Sequence, residues 1–257
     1  MFDASKAKAY VADVELPEAP VRMGAAPAPE AATAAVAATD QPVVVGSGIF
    51  SFAPGVDAAT REAVTNSALL AQLVANKATS AQADPLGWFD AYCEVLQNIG
   101  WVLEAGGWTA QTAKGTAVEV HEKILEVVTA ALGPAPAALA IVQATMSALA
   151  GTQPNSPWVT IFNRESKSTR VARFQVGLVD KGATAEEVAL VLVACLLEAE
   201  AGITQLLFFK LERNLASFRS NTASASAGRA TLVDLSPAIA TRVSAFRKDF
   251  LSGLTDL

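Results

Sequence analysis

Apolar positions recur with a helical period through much of the first half of the chain and with shorter periods in the second. Asp57 precedes a run that places Ala63, Leu70, Ala71 and Val74 on one face, which predicts a capped helix over 58–77. Asp84-Pro85 opens another, carrying Trp88, Phe89, Tyr92, Val95 and Leu96 toward a core. Residues 99–111 read as a strand interrupted at Gly106-Gly107. Over 116–132, Val118, Leu125, Val128 and Leu132 form one stripe and Val120, Ile124 and Val127 an adjoining one. Glu119, Glu122 and Glu126 make the wet side, and Gly133-Pro134 stops the helix. The following helix, 135–150, has only Gln143, Thr145 and Ser147 as polar relief, so it must be buried on every side or meet lipid. At ~1.5 Å per residue it reaches about 24 Å, short of a ~30 Å hydrocarbon core. It is therefore expected at rest as the second arm of a hairpin with 116–132.

The second half changes period. Ala172, Phe174, Val176 and Leu178 alternate with Arg173, Gln175 and Gly177, which predicts a half-buried strand over 170–180 closed by an Asp180-Lys181-Gly182 turn. Residues 184–201 carry two signals. Thr184-Ala185-Glu186-Glu187 fits a capping box and Gly202 a helix stop, while the continuous run from Val188 to Leu197 equally fits a strand covered on both faces. Residues 203–218, with Leu206-Leu207-Phe208-Phe209, are aromatic-rich enough to favour one strand, over about 45 Å long at ~3.3 Å per residue. The last helix is expected over 237–251, with Ser236 as cap, Pro237 at its first position, and Ile239, Val243, Phe246 and Phe250 at helical spacing.

At the other end, Tyr10 to Leu16 reads as extended, and residues 24–42 are almost entirely Ala, Pro, Thr, Gly and Glu, too little apolar surface to order themselves. Residues 1–42 are thus expected to be a flexible tail and linker, in the plain reading a disordered terminus and in the functional one a removable segment or a docking peptide for a partner, with one α/β domain over 43–257. Hydrophobic residues make up 52% of the 257 and mean hydropathy is +0.34, yet no run reaches the roughly 20 apolar residues of a spanning helix. The start has no apolar signal core, which points to a protein made soluble in the cytoplasm and released without a Sec signal. A net charge of -6, with no basic stripe, argues against nucleic acid and against simple electrostatic adhesion to anionic lipid. Affinity for a membrane must come from apolar area.

Reactive constellations are not evident. His121, the only histidine, sits on the 116–132 helix between Val118 and Leu125, where a core or boundary imidazole is the plain reading. One histidine and two distant cysteines, Cys93 and Cys195, cannot supply the usual zinc ligand sets, and both cysteines lie in apolar settings that suit buried thiols. Gly46-Ser47-Gly48 lacks the rest of a dinucleotide fingerprint, no serine stands in a nucleophile-elbow motif, and the acid pairs Glu186/Glu187 and Glu198/Glu200 read as solvated ends of apolar runs. No enzyme chemistry, catalytic residue or metal is expected.

From the helix at 116 to about residue 218 the order of features resembles the Cyt cytolytic δ-endotoxins and, more distantly, the Erwinia virulence factor family. The resemblance is carried by Val120-His121-Glu122-Lys123-Ile124-Leu125-Glu126-Val127-Val128 through Leu132-Gly133, the Ala/Val-rich second helix, and Ser156-Pro157-Trp158-Val159-Thr160-Ile161-Phe162. It continues through the alternating strand, the apolar run around Cys195 and, most specifically, Leu206-Leu207-Phe208-Phe209. The first half and residues 1–42 depart from the toxins. The resemblance implies a three-layer α/β (α+β) fold, a mainly antiparallel sheet wrapped by helical hairpins, and makes 186–199 a central strand. It implies a membrane-active, pore-forming or permeabilising toxin or virulence protein that binds membrane lipids, oligomerises with itself and acts at a target membrane. It also suggests Cys195 as a site for a covalent or bound fatty acid. Leu139, Ile141, Val142, Met146, Leu206, Leu207, Phe208 and Phe209 are the candidate membrane contacts. The alternatives are a non-lytic lipid- or acyl-binding protein and an interaction module docked through its N-terminal tail.

Overall fold

The computed structural model describes residues 2–19, 42–79, 83–113, 117–132, 139–145, 156–168, 170–199, 203–205, 210–211 and 216–253. The first half contributes α1 (Ala4–Asp13), β1 (Val43–Val45), β2 (Gly48–Phe52), α2 (Ala58–Ala78), α3 (Pro85–Asn98), β3 (Val102–Ala105), β4 (Thr109–Ala113) and α4 (Ala117–Leu132). A helical segment over 139–145 follows and is termed α5. The second half adds α6 (Pro157–Ser166), β5 (Val171–Lys181), β6 (Glu187–Ala199), β7 (Ile203–Gln205), β8 (Lys210–Leu211), β9 (Ala216–Gly228), α7 (Arg229–Arg242), α8 (Arg247–Phe250) and β10 (Leu251–Gly253).

Eight strands form one sheet in the order β10-β1-β2-β5-β6-β9-β3, with β4 also on β9; β7 and β8 pair separately. Every pair in the large sheet is antiparallel except β2 with β5. One face packs against α1, α2, α3 and α7 and the other against α4, α5 and α6, giving the three-layer α+β arrangement expected. Asp57 caps α2 by accepting from the Thr60 backbone N–H at 3.0 Å, and Asp84 caps α3 through the Gly87 N–H at 2.9 Å.

The run 187–199 is a strand. Its backbone is paired by β5 on one side and β9 on the other, and apolar side chains fill both faces, the arrangement a continuous apolar run needs. The capping-box residues close a turn instead: Gly182 N–H donates to Glu187 O, Glu187 N–H to Thr184 O, and Ala183 N–H to the Glu187 carboxylate.

Five expectations are corrected. Strand β5 is buried on both faces from Ala172 to Val179, because it lies inside the sheet with helices above and below, and Arg173 and Gln175 are interior residues. It also runs through Lys181, so the turn falls later than Asp180-Lys181-Gly182. Residues 203–218 are not one strand: Ile203–Gln205 folds against Lys210–Leu211, and a new strand begins at Ala216. That new strand, β9, continues to Gly228 as Ser-, Ala- and Asn-rich sequence with no apolar alternation to announce it.

The C-terminal helix runs over Arg229–Arg242 and not 237–251; Ser236 lies inside it and is not its cap, and Leu251 opens β10. Leu232, Leu235 and Ile239 carry its buried face, Pro237 is internal, and the Ser236 hydroxyl is drawn across to α2, where it accepts from Asn66 Nδ2 at 2.9 Å. Tyr10 to Asp13 is helical, not extended. Asp3 caps α1, Ala7 and Val11 are buried against α7, Lys8 pairs with Asp234 at 2.8 Å, and Arg242 donates to Val14 O. Part of the presumed tail is therefore a packed element, while the linker residues 20–41 lie outside the described residues.

Asn66 is central to the α2 layer, because its carbonyl also accepts from Arg247 Nη1 at 2.9 Å, and Arg247 reaches Glu62 at 3.6 Å. Asn66→Ala strands a buried guanidinium N–H and a buried hydroxyl, and is expected to cost about 2–4 kcal/mol in urea unfolding. Val102→Thr, on a side chain 67% exposed, should stay within about 0.5 kcal/mol.

Candidate functional site

The sheet face that carries Cys195 lies under α4 and α5. Val193, Cys195 and Leu197 of β6 share this face with Phe174 and Val176 of β5 and Phe218 of β9. Ile124 and Val128 of α4 and Val142 of α5 are buried against it, and Leu125, Val127, Ala131, Leu132 and Ile141 are half-buried at its rim. Leu139 is half-buried as well. Met146, Leu206, Leu207, Phe208 and Phe209 lie outside the described residues, as does the side chain of His121. Three of the eight candidate membrane contacts are thus placed on the hairpin arm over 139–145, with Val142 pointing into the sheet.

A polar link fastens this arm. Ser51 of β2 and Thr145 of α5 are both buried, with their hydroxyl oxygens 2.9 Å apart, and Thr145 also donates to Ile141 O. Sequence reasoning missed the pair: Thr145 reads only as polar relief in an apolar helix, and nothing in the sequence singles out Ser51. Below the arm, α6 adds Trp158, Val159, Ile161 and Phe162, with Phe162 edge-on to Phe174 at 6.0 Å between ring centres.

Cys195 stands in the middle of this layer, fully buried, in register with Phe174 on one side and Ser220 on the other. Burial alone pushes its thiol far above the ordinary range, so in this state it is neither a ready nucleophile nor reachable by an acyl donor. Cys93, on α3, is pushed up to about 12, mainly by burial and further by Asp90. Both cysteines are free. Among the described residues no group of three or more His, Cys, Asp or Glu is placed to hold a metal ion, and no helix is long and apolar enough to cross a membrane.

A charged cleft opens at the far end of the sheet, lined by Asp57, Asp180, Lys181, Glu187 and Arg229 among others. Asp57 accepts from Arg229 Nε at 2.9 Å, and this bond, helped by the Thr60 N–H and hydroxyl, lowers its carboxyl to about 2. The group is engaged as a helix cap and ion pair.

No family model and no curated protein matches the chain. Among solved structures it is similar to the activated Cyt2Ba monomer from Bacillus thuringiensis subsp. israelensis, at 12% identity and a TM-score of 0.41 over 71% of this chain and 97% of that one. It is also similar to a delta-endotoxin, at 11% identity and 0.37 over 83% and 89%, and to the Evf virulence factor, at 11% and 0.34 over 84% and 85%. These neighbours match the resemblance read from the sequence. The likeness is one of overall layout, and no residue role is carried across on it.

Two outcomes follow from the site. Cys195 should resist a water-soluble thiol reagent at pH 7.5 in native protein and label only as denaturant unfolds the sheet; rapid native labelling would contradict its placement. Asp57→Ala should destabilise at pH 7 by about 1–2 kcal/mol, mostly through the cap, since a half-exposed ion pair contributes little. Because the folded carboxyl titrates below its unfolded value, the wild-type advantage is full above pH ~4 and shrinks as pH falls through about 2. Paired acid-range unfolding curves measure it.

Proposed function

We propose that this protein acts on lipid membranes as a permeabilising, toxin-like or virulence protein, and that the α4–α5 pair is the part that leaves the sheet for lipid. The observation that carries the reading is the difference between the two helical layers. On the α2 side, buried and half-buried polar links run between elements: Asn66 to Ser236 and Arg247, Ser47 to Gln72, and Trp88 Nε1 to Asn76. On the other side, among the described residues, α4 and α5 meet the sheet through Ile124, Val128 and Val142 together with the Ser51–Thr145 link.

Apolar contacts of this kind have an equivalent in lipid. At roughly 25 cal/mol per Å², moving the arms from sheet to acyl chains approximately conserves their burial, whereas moving them into water does not. Parting Ser51 from Thr145 costs on the order of 1 kcal/mol, more if either hydroxyl stays dry and unpaired. The sheet face left behind must itself find cover. Open strand edges are not tolerated in hydrocarbon, so a strand-built pore requires closure by several copies, while arms lying in the headgroup region require none. Acylation at Cys195 fits this scheme only after the arms lift, because the thiol lies beneath them.

The test is dye release from liposomes by a Ser51→Cys/Thr145→Cys variant in a Cys93→Ser/Cys195→Ser background. With oxygens 2.9 Å apart, sulfurs in their place are close to disulfide reach. Leakage is expected from the reduced protein and lost by at least tenfold on oxidation. No leakage from the unaltered protein at micromolar concentration rejects the membrane reading; equal leakage from the locked form rejects the arms as the moving part.

A further inference from the structure

The helices over the Cys195 face do not share one foundation. Helix α4 packs on β6, β9 and β4, whereas α6 packs on β10, β1 and β5. The boundary falls between two residues in register. Cys195 belongs to β6, under α4, while its neighbour Phe174 of β5 lies edge-on to Phe162 of α6, 6.0 Å between ring centres.

Two arginines hold the last turn of α6. Arg173 of β5 is 4% exposed, its guanidinium carbon 3.3 Å from the centre of the Trp88 ring of α3, and its Nη2 donates to Glu165 O at 3.2 Å. One side chain thus joins a helix of each layer. Its positive charge stands at the C-terminus of α6, where the helix dipole favours a cation, and a hydrogen bond from a charged donor is stronger than a neutral one. Arg164, within the same turn, donates through Nη2 to Asp249 O and places its guanidinium carbon 5.5 Å from the centre of the Phe250 ring. Beyond the helix, Ser168 N–H donates to Val171 O at 2.8 Å, so α6 runs into β5 through a short closed turn. Hydrocarbon replaces none of these polar contacts. Among the described residues, α4 and α5 meet the sheet mostly through apolar side chains, so the two parts of the layer differ in how they are held. Elements held unequally open as separate units.

We propose that this layer is two covers that open separately: α6 is clamped to the sheet by Arg173 and Arg164, and α4 and α5 lift without it, baring the β6–β9 half of the face. Val193, Cys195, Leu197 and Phe218 are then the strip offered to a lipid surface, while Val44 and Phe174 stay dry under α6. The division is a property of the folded chain in water; only its consequence for lipid rests on the membrane reading.

The experiment is amide hydrogen exchange of the whole chain in water, read by mass spectrometry over α4, α5 and α6 and corrected for intrinsic rates. Amides of α6 are expected to exchange roughly tenfold more slowly than those of α4 and α5, or slower still. Arg164→Ala, at a half-exposed side chain, should narrow that ratio by about threefold or more, and so should Arg173→Met. The ratio cancels any change in whole-chain stability, and Arg164→Ala stands alone if the methionine variant does not fold. Equal protection of the three helices, or a ratio unchanged in Arg164→Ala or in folded Arg173→Met, would overturn the clamp. Added liposomes should speed exchange in α4 and α5 and leave α6 protected. Loss of protection in all three together overturns the division, whereas no change in any of them counts against the membrane reading and not against the clamp.

Discussion

Strand β6 presents Val188, Leu190, Leu192 and Ala194 to one layer of helices and Val193, Cys195 and Leu197 to the other. Its neighbours β5 and β9 satisfy its backbone, yet neither face can meet water without baring a row of side chains. At about 1.5–3 kcal/mol for each large residue, uncovering one face costs roughly 5–10 kcal/mol, comparable with the net stability of a whole domain. Both helical layers are therefore obligatory in water, and the rest of the architecture is arranged to hold them there.

The layers meet that requirement differently. Helix α2 is buried around much of its circumference and holds its place with polar side chains as well as apolar ones, including Arg61, which lies 4.2 Å over the Phe52 ring. Such groups need particular partners, and a substitute solvent does not supply them all at once. Among the described residues, the contacts of α4 and α5 with the sheet are mostly ones that a hydrocarbon environment can replace. The proposed membrane reading rests on this inequality between the two sides of the sheet and not on a reactive side chain.

Legibility in the sequence followed the same physics. The capped helices at Asp57 and Asp84 were readable because cap and periodicity agree, and the interrupted strand at Gly106-Gly107 is realised as β3 and β4, both on β9. Strand β6 was ambiguous because a strand dry on both faces has no period; family resemblance, not pattern, favoured it. Strand β9 was invisible: flanked by β3, β4 and β6, it gains order from neighbours that sequence order does not reveal. Arg173 and Gln175 looked like the wet side of an alternating strand, since alternation tells which residues share a face but not whether that face is solvated. Ser236 looked like a cap because a hydroxyl before proline usually is one; its actual partner, Asn66, lies 170 positions away.

The parallel contact between β2 and β5 joins residues 48–52 to 175–179, and β10 then completes the other side of β1 from residues 251–253. During synthesis the first two strands must wait, as an unaccompanied ribbon, for partners made more than a hundred positions later. Loop-closure entropy for such distant pairing is spent before its contacts form, which favours slow folding and leaves a strand border open in the meantime. The chain's vulnerability to misassembly is accordingly concentrated in the time before residues 251–253 are made, when the Val43–Val45 border has no neighbour to occupy it.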